Sequence, residues 1–395
     1  MVRTPSATIS GSYREVPTPI PPSGLPGSRV RRFYGKRLLT RRSSSYLGIT
    51  GTLGRRDRFD PVLFRTNGRL KVATVRHGFG RTCFSDPLNL LPLWYRSRVR
   101  PFLSCLFLLL FSNPRLILAQ GNPSWTTPVV PFRIADNLYY VGSQDLASYL
   151  VVTPKGNILI NANLATSPSQ LRSSVEVLGF RWSEIKILLN SQAHADHMAG
   201  AAEVIRETHA KNMVMDGDVS VVESGARTDF LSPSPNIPTY ATVQVDRVLQ
   251  DGDTVSLGGV TLTAHKTAGH TRGCTTWTMR SHLPGEPAET MRNIVIVGGT
   301  GFWSEYHFVA TPGHPVSYPG IVQDFQHTFS ELRALPCDVF LGAHGGYFDM
   351  LTKLKGYPHD GPHVFIDPSG YKELVTDAQA NFEKALSKQQ AAAVH

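Results

Sequence analysis

Between Ser191 and His197 the chain reads Ser-Gln-Ala-His-Ala-Asp-His, which places an amide, two imidazoles and a carboxylate within a few positions. Imidazole nitrogens and carboxylate oxygens are the donors that Zn²⁺ and similar borderline metals take. The string follows the apolar run Ile185-Lys186-Ile187-Leu188-Leu189-Asn190. A strand ending in such a loop delivers its polar side chains to one spot at the edge of a sheet. Two further histidines sit beside predicted strand ends: His270 in Thr267-Ala268-Gly269-His270-Thr271, and His344 in Leu341-Gly342-Ala343-His344-Gly345-Gly346. A glycine next to each lets the backbone bring the imidazole close to another group. Any single histidine of the 14 is more often a surface or satisfied core residue than a ligand. Their joint arrival at strand ends points to a metal centre assembled from His194, Asp196, His197, His270 and His344.

The elements that must position these residues follow from local pattern. Short apolar runs around Leu138–Val141, Tyr149–Val152 and Asn157–Ile160, separated by Gly, Asn and Pro, read as strands joined by tight turns. Ser167-Pro168 opens a helix through Leu171, Val175 and Leu178 that ends at Gly179. The strand Ile185–Leu189 comes next, and after His197 a helix rich in small residues runs through Ile205. The second half predicts strands near Asp253–Leu257, Val260–His265, Thr275–Met279 and Asn293–Val297, a helix near Ile321–Leu335 and a strand at Asp338–Leu341. Tyr371, Leu374, Val375, Ala378, Phe382, Ala385 and Leu386 recur at the spacing of one helix face. The expectation is an α/β protein of two sheets with helices outside and polar loops meeting at one edge.

The net charge of +10 over 395 residues suggests a nucleic-acid partner until it is located. Residues 1–120 hold 21 Lys and Arg against 4 acids, and the remainder holds 19 bases against 26 acids, a net of −7. The basicity belongs to the front, so the body is expected to bind no nucleic acid. Residues 1–98 are rich in Arg, Ser, Pro and Gly with no sustained period. They read as upstream sequence ahead of the true start, as a disordered basic arm contacting membrane or nucleic acid, or as an organellar transit peptide. The span 99–120 has the order of a secretory signal: basic residues Arg96 to Arg100, the apolar run Pro101–Phe111, and Ala119 before Gln120. An apolar run of 11 residues is too short to cross a membrane. A periplasmic location with no stable membrane anchor follows, with 121–395 as the mature, monomeric domain. Only Cys274 and Cys337 fall in that body, which is no disulfide framework.

The residues quoted, with Asn190-Ser191, Glu223 to Phe230, Thr275-Thr276-Trp277 and Leu335-Pro336-Cys337-Asp338-Val339, resemble the metallo-β-lactamase superfamily, most closely its subclass B3. The resemblance covers roughly Phe132 to Leu386. It implies a four-layer αβ/βα sandwich with a zinc site in the groove at the sheet edges. Many hydrolases of the superfamily carry a metal-bridging Asp after the strand that follows the third histidine, and the B1 lactamases carry a Cys. Here that strand, Ile294–Val297, runs into Gly298-Gly299-Thr300, with neither. Using His197 as a ligand instead is the B3 solution.

The resemblance implies one zinc at Gln192, His194 and His270 and a second at Asp196, His197 and His344, so one or two Zn²⁺ per chain. Gln192 stands where the family pattern has its first His. A carboxamide is a neutral, weaker donor, so the first set should bind metal less tightly. Asn161 stands where many members have Asp, which should weaken support to the metals. Cys337 has no evident partner, since Tyr371 occupies the region where related enzymes carry one. Thr300, Phe302 and Trp303 fall where B3 enzymes contact substrate. The implied activity is a β-lactamase, relevant to antibiotic resistance, in which a zinc-bound hydroxide of lowered pKa attacks the β-lactam carbonyl and Asp196 orients the nucleophile. Two rivals are a lactonase or thioesterase of the same fold, which the missing bridging Asp disfavours, and a non-catalytic metal-binding relative, suggested by Gln192 alone.

Overall fold

The structure is a computed structural model that describes residues 122–393 and, before them, the backbone of one hairpin, β1 (Pro61–Thr66) paired antiparallel with β2 (Arg69–Thr74). The hairpin lies in a region whose hydrophobic pattern showed no period. The remainder of the leader and the secretory-type span 99–120 lie outside the described residues. Among the described residues no helix is long and apolar enough to cross a membrane.

Seven strands form the first sheet in chain order: β3 (Phe132–Ala135), β4 (Leu138–Tyr140), β5 (Tyr149–Thr153), β6 (Gly156–Ile160), β7 (Ile185–Leu189), β8 (Lys211–Met215) and β9 (Arg247–Leu249). Short turns keep β3 to β6 antiparallel. From β6 onward the pairing is parallel, because each return passes through helix. These helices are α1 (Pro168–Val177), α2 (Ala195–Met198) with α3 (Ala201–Thr208), and α4 (Val219–Ser224). The second sheet is β10 (Thr254–Leu257), β11 (Val260–Lys266), β12 (Thr275–Ser281), β13 (Arg292–Val297) and β14 (Val339–Gly342). Only its last pair, β13 with β14, is parallel, and α5 (Ile321–Ala334) lies between them in sequence. α6 (Met350–Asp360) and α7 (Pro368–Ala393) complete the chain.

The period-2 alternation of the strands builds the layers. Ile158 and Ile160 of β6, with Ile187 and Leu189 of β7, join a core that also contains Leu262, Trp277 and Ile296 of the second sheet. Leu159 and Leu188, one residue out of phase, join a different core with Leu171 and Val175 of α1 and Val204 of α3. The first sheet is therefore sandwiched between its helices and the second sheet. On β13, Ile294 to Val297 are all buried, as a strand covered on both faces requires. There Phe382 of α7 stacks on Phe325 of α5, ring centroids 4.9 Å apart. Burial of each such ring contributes about 2–3 kcal/mol. The result is the expected four-layer αβ/βα sandwich.

Candidate metal centre

The loop from Asn190 to His194 leaves β7 and is gripped by the rest of the fold through its carbonyls. Trp277 Nε1 donates to Asn190 O at 3.0 Å, Thr275 N to Ser191 O at 2.8 Å, and Tyr240 OH to Ala193 O at 2.6 Å. Asn161, at the end of β6 with φ +67°, accepts at one Oδ1 from both Ser191 N and Ser191 Oγ and donates from Nδ2 to Ala147 O. Asn161 thereby holds the loop through bonds to Ser191 and Ala147. An Asp could accept but not donate, whereas the amide ties three segments together directly before Gln192. α2 then begins at Ala195, so Asp196 and His197 occupy consecutive positions of one short turn.

The predicted residues gather into two neighbouring sets. In one, Asp196 Oδ2 lies 3.3 Å from His197 Nε2 and 3.5 Å from His344 Nε2, and those two nitrogens are 3.2 Å apart. These three residues offer one ligand atom each within a span that could hold a metal ion. In the other, His194 Nδ1 faces His270 Nε2 at 3.2 Å. Four donors at ~2.0–2.1 Å from a tetrahedral zinc are separated along each edge by about 3.3–3.4 Å. The observed separations match that edge. Gln192 is buried, and its Oε1 has no hydrogen-bond partner. An orphaned buried carbonyl oxygen is costly, and a cation relieves it. The donors present fit zinc.

The electrostatics are those of a cation site. His270 Nδ1 is hydrogen-bonded to Gly301 O at 2.7 Å, so its Nε2 carries a lone pair toward His194. Burial, aided by the neighbouring His194, lowers His270 to about 3, which keeps it neutral. Burial also lowers His197, outweighing the pull of Asp196. For Asp196 the balance tips the other way: burial opposes ionisation, yet His197 and His344 hold its carboxyl well below the usual range. Burial disfavours the His344 cation too, but hydrogen bonds and charge from Asp145 and Asp196 raise it to about 9. Asp145, 199 residues away in sequence, meets His344 Nδ1 at 3.1 Å and is itself held by Trp125 Nε1 and Gly346 N. No local pattern marks Asp145 or Trp125, because the fold alone brings them to His344.

Beneath the His270 loop, the buried Asp218 accepts from Thr271 Oγ1 at 2.7 Å and Gly273 N at 2.8 Å. Burial raises Asp218 to about 6. Gly269 has φ +133°, and a Cβ added there would stand 2.9 Å from the ring of Phe325, which is fully buried. Gly269→Ala should therefore destabilise the fold by about 3 kcal/mol through backbone strain and overpacking. Thermal unfolding should show a fall of roughly 8 °C. An unchanged melting temperature would mean that Phe325 can move aside.

Both sets open on a cleft of about 490 Å³ whose other walls are Trp125, Leu164, Asn236, Pro238, Trp303 and Ser304. Trp303 packs against the rings of His194 and His270, each at 5.6 Å. The other two expected substrate contacts do not line this cleft. Phe302 turns its ring toward Phe308 and Phe325, and with Thr300 it borders a separate cavity against α7. A larger cavity, about 700 Å³, lies against Thr261, Thr263, Thr278 and Arg280 and contains none of the metal-capable residues. Cys274 and Cys337 are both free. Cys274 is fully buried with its Sγ hydrogen-bonded to Gly299, and burial pushes its thiol up to about 12.

The sequence profile of the metallo-beta-lactamase superfamily matches residues 146–344, the span from just after Asp145 to His344. The native FEZ-1 metallo-beta-lactamase from Legionella gormanii is 44% identical, with 67% of this chain and 98% of that one covered, at a TM-score of 0.63. The class B3 di-zinc metallo-beta-lactamase LRA-12 from an Alaskan soil metagenome is 35% identical, with 68% and 98% covered, at a TM-score of 0.62. A probable metallo-hydrolase of Burkholderia pseudomallei (strain 1710b) is 31% identical over 144 residues, which is 35% of this chain and only 45% of that relative's length. With this fold, these paired donor sets and subclass B3 enzymes as structural neighbours, the chain belongs to the metallo-β-lactamase superfamily.

Proposed function

We propose that the protein is a zinc-dependent β-lactamase that opens the cyclic amide of β-lactam antibiotics. The observation that carries this reading is the Asp196–His197–His344 set at the cleft, completed by His197 where other hydrolases of the fold use a residue after β13. Asp196, His197 and His344 would hold one zinc, and Gln192, His194 and His270 a second, weaker one. Zinc at such a site supplies an activated water and polarises the scissile carbonyl. Asp196, ionised and partly open to the cleft, is the group placed to orient that water and to hold its proton. Asp145 fixes the ring of His344. Trp125 and Trp303 offer flat apolar walls to the substrate, and Asn236 and Ser304 its polar contacts. Export to the periplasm rests on the pattern of residues 96–119.

The test is loss of a carbapenem's ultraviolet absorbance in the presence of the full chain, with and without a chelator. Chelator-sensitive hydrolysis supports the reading. Faster turnover of a lactone or thioester panel than of any β-lactam would replace it with the rival hydrolase.

The His344 shift adds a pH dependence. In the metal-free chain the raised value means that the bound proton stabilises the fold fully below about 6.5, a contribution lost as pH rises through about 9. Zinc requires the neutral imidazole and must displace that proton. Apparent zinc affinity should then rise between about pH 6 and 9, close to tenfold per unit for one proton released. Competition titrations at two pH values in this window measure it. Equal affinities, once the competing chelator's own protonation is allowed for, would contradict the assignment of His344.

A further inference from the structure

The two nitrogens of His194 have different surroundings. Nδ1 faces His270 at 3.2 Å, on the side of the proposed metal. Nε2 points into the interior, where it is buried with no hydrogen-bond partner. Asp229 Oδ2 lies 3.6 Å from it. The Asp229 side chain is 1% exposed; its Oδ1 accepts from Leu231 N at 2.8 Å, and its Oδ2 has no partner. Two buried polar atoms, one able to donate and one able only to accept, thus face each other with nothing else to bond. A shift of about 0.7 Å closes the gap to hydrogen-bond length. Asp218, the neighbouring buried carboxylate, differs in that each of its oxygens already has a donor, Thr271 Oγ1 and Gly273 N, whereas Asp229 Oδ2 has none.

We propose that Asp229 is the positioning residue of the Gln192–His194–His270 set: it accepts the Nε2 proton of His194 and supplies the negative charge that this set lacks. The inference rests on the zinc reading above. When His194 gives its Nδ1 lone pair to a cation, its one proton resides on Nε2, and the ring needs an acceptor there. Gln192, His194 and His270 are all neutral donors, unlike the set that contains Asp196. A buried carboxylate behind His194 therefore balances the charge and fixes the ring's rotation in one step. Asp145 stands in the same relation to His344, at 3.1 Å from Nδ1.

The experiment is titration of the metal-free full chain with cobalt(II), followed by its visible absorption, for wild type and for Asp229→Asn. The amide keeps an acceptor for Leu231 N and removes only the charge. The second equivalent should bind about 10–100-fold more weakly in the variant, with the first unchanged. As a second readout, ¹⁵N spectra of the histidine rings in the zinc-loaded wild type should show the His194 Nε2 proton protected from solvent exchange and carboxylate-bonded. A freely exchanging proton there overturns the proposal without any variant. Two equivalents bound with equal affinity by both proteins overturn it as well, while the zinc reading stands. A wild-type chain that takes up one ion only overturns the Gln192 set and the role of Asp229 together.

Discussion

Asp196→Asn should lower kcat/KM for β-lactam hydrolysis by at least about 10³-fold, a loss of roughly 4 kcal/mol of transition-state stabilisation. The size follows from where the carboxylate sits. One oxygen of Asp196 is the shared neighbour of His197 Nε2 and His344 Nε2, at 3.3 and 3.5 Å. It supplies the only negative charge among the six proposed donors. An amide at this position removes that charge, weakens the metal's hold and deprives the water of its proton acceptor. The loss should persist at saturating zinc, because two effects are removed and only the affinity can be restored by mass action. Zinc content, measured beside the rate, separates them. Retention of more than about a tenth of the wild-type kcat/KM in a zinc-loaded variant would remove Asp196 from the catalytic role.

Much of the scaffold was legible because its signals are local. The alternation in Asn157–Ile160 and Ile185–Leu189 separates the two cores residue by residue, and the stripe from Tyr371 to Leu386 lies on α7 with Tyr371, Val375 and Phe382 buried. Elements were missed where the local signal is weak or contrary. β8 begins with Lys211 and Asn212, and β9 has three residues with Val248 half-exposed. α6 contains Gly356 and Pro358, which argue against helix on propensity alone. It forms nonetheless, with Tyr357 packed on Phe132 at 5.4 Å and its hydroxyl donating to Arg133 O. Tertiary contact outweighs propensity there.

The site divides along the same line. Gln192 to His197 share one loop and short turn, and His270 and His344 sit at strand ends, so pattern alone suffices to nominate them. Their supporting partners do not announce themselves. Asp145 and Trp125 reach His344 across about 200 residues, and Asp229 reaches His194 from a loop after α4. Which wall faces the cleft was equally hidden. Phe302 and Trp303 are adjacent, yet one ring enters the aromatic core and the other lies over the imidazoles. Backbone direction in the irregular loop after β13 decides that, and no periodicity encodes it.

Gln192→His should tighten the second metal equivalent by at least about tenfold and leave the first unchanged. An imidazole is a stronger donor to zinc than a neutral carboxamide, and three-histidine sites are a standard zinc solution. The position is already built to aim a polar atom inward. Gln192 is 1% exposed, its Oε1 lacks a partner, and the carbonyls of its neighbours Ser191 and Ala193 are pinned by Thr275 and Tyr240. Histidine is close to glutamine in size, so the substitution asks for little repacking. Its effect on rate should depend on free zinc. When zinc is scarce and the Gln192 set is unfilled, the variant should exceed the wild type if hydrolysis uses both ions, and the two should converge as zinc saturates both sets. Activity and bound metal followed together across a zinc titration measure this. A second-equivalent affinity equal to that of the wild type would mean that residue 192 does not face the metal, and the first donor set would then reduce to His194 and His270.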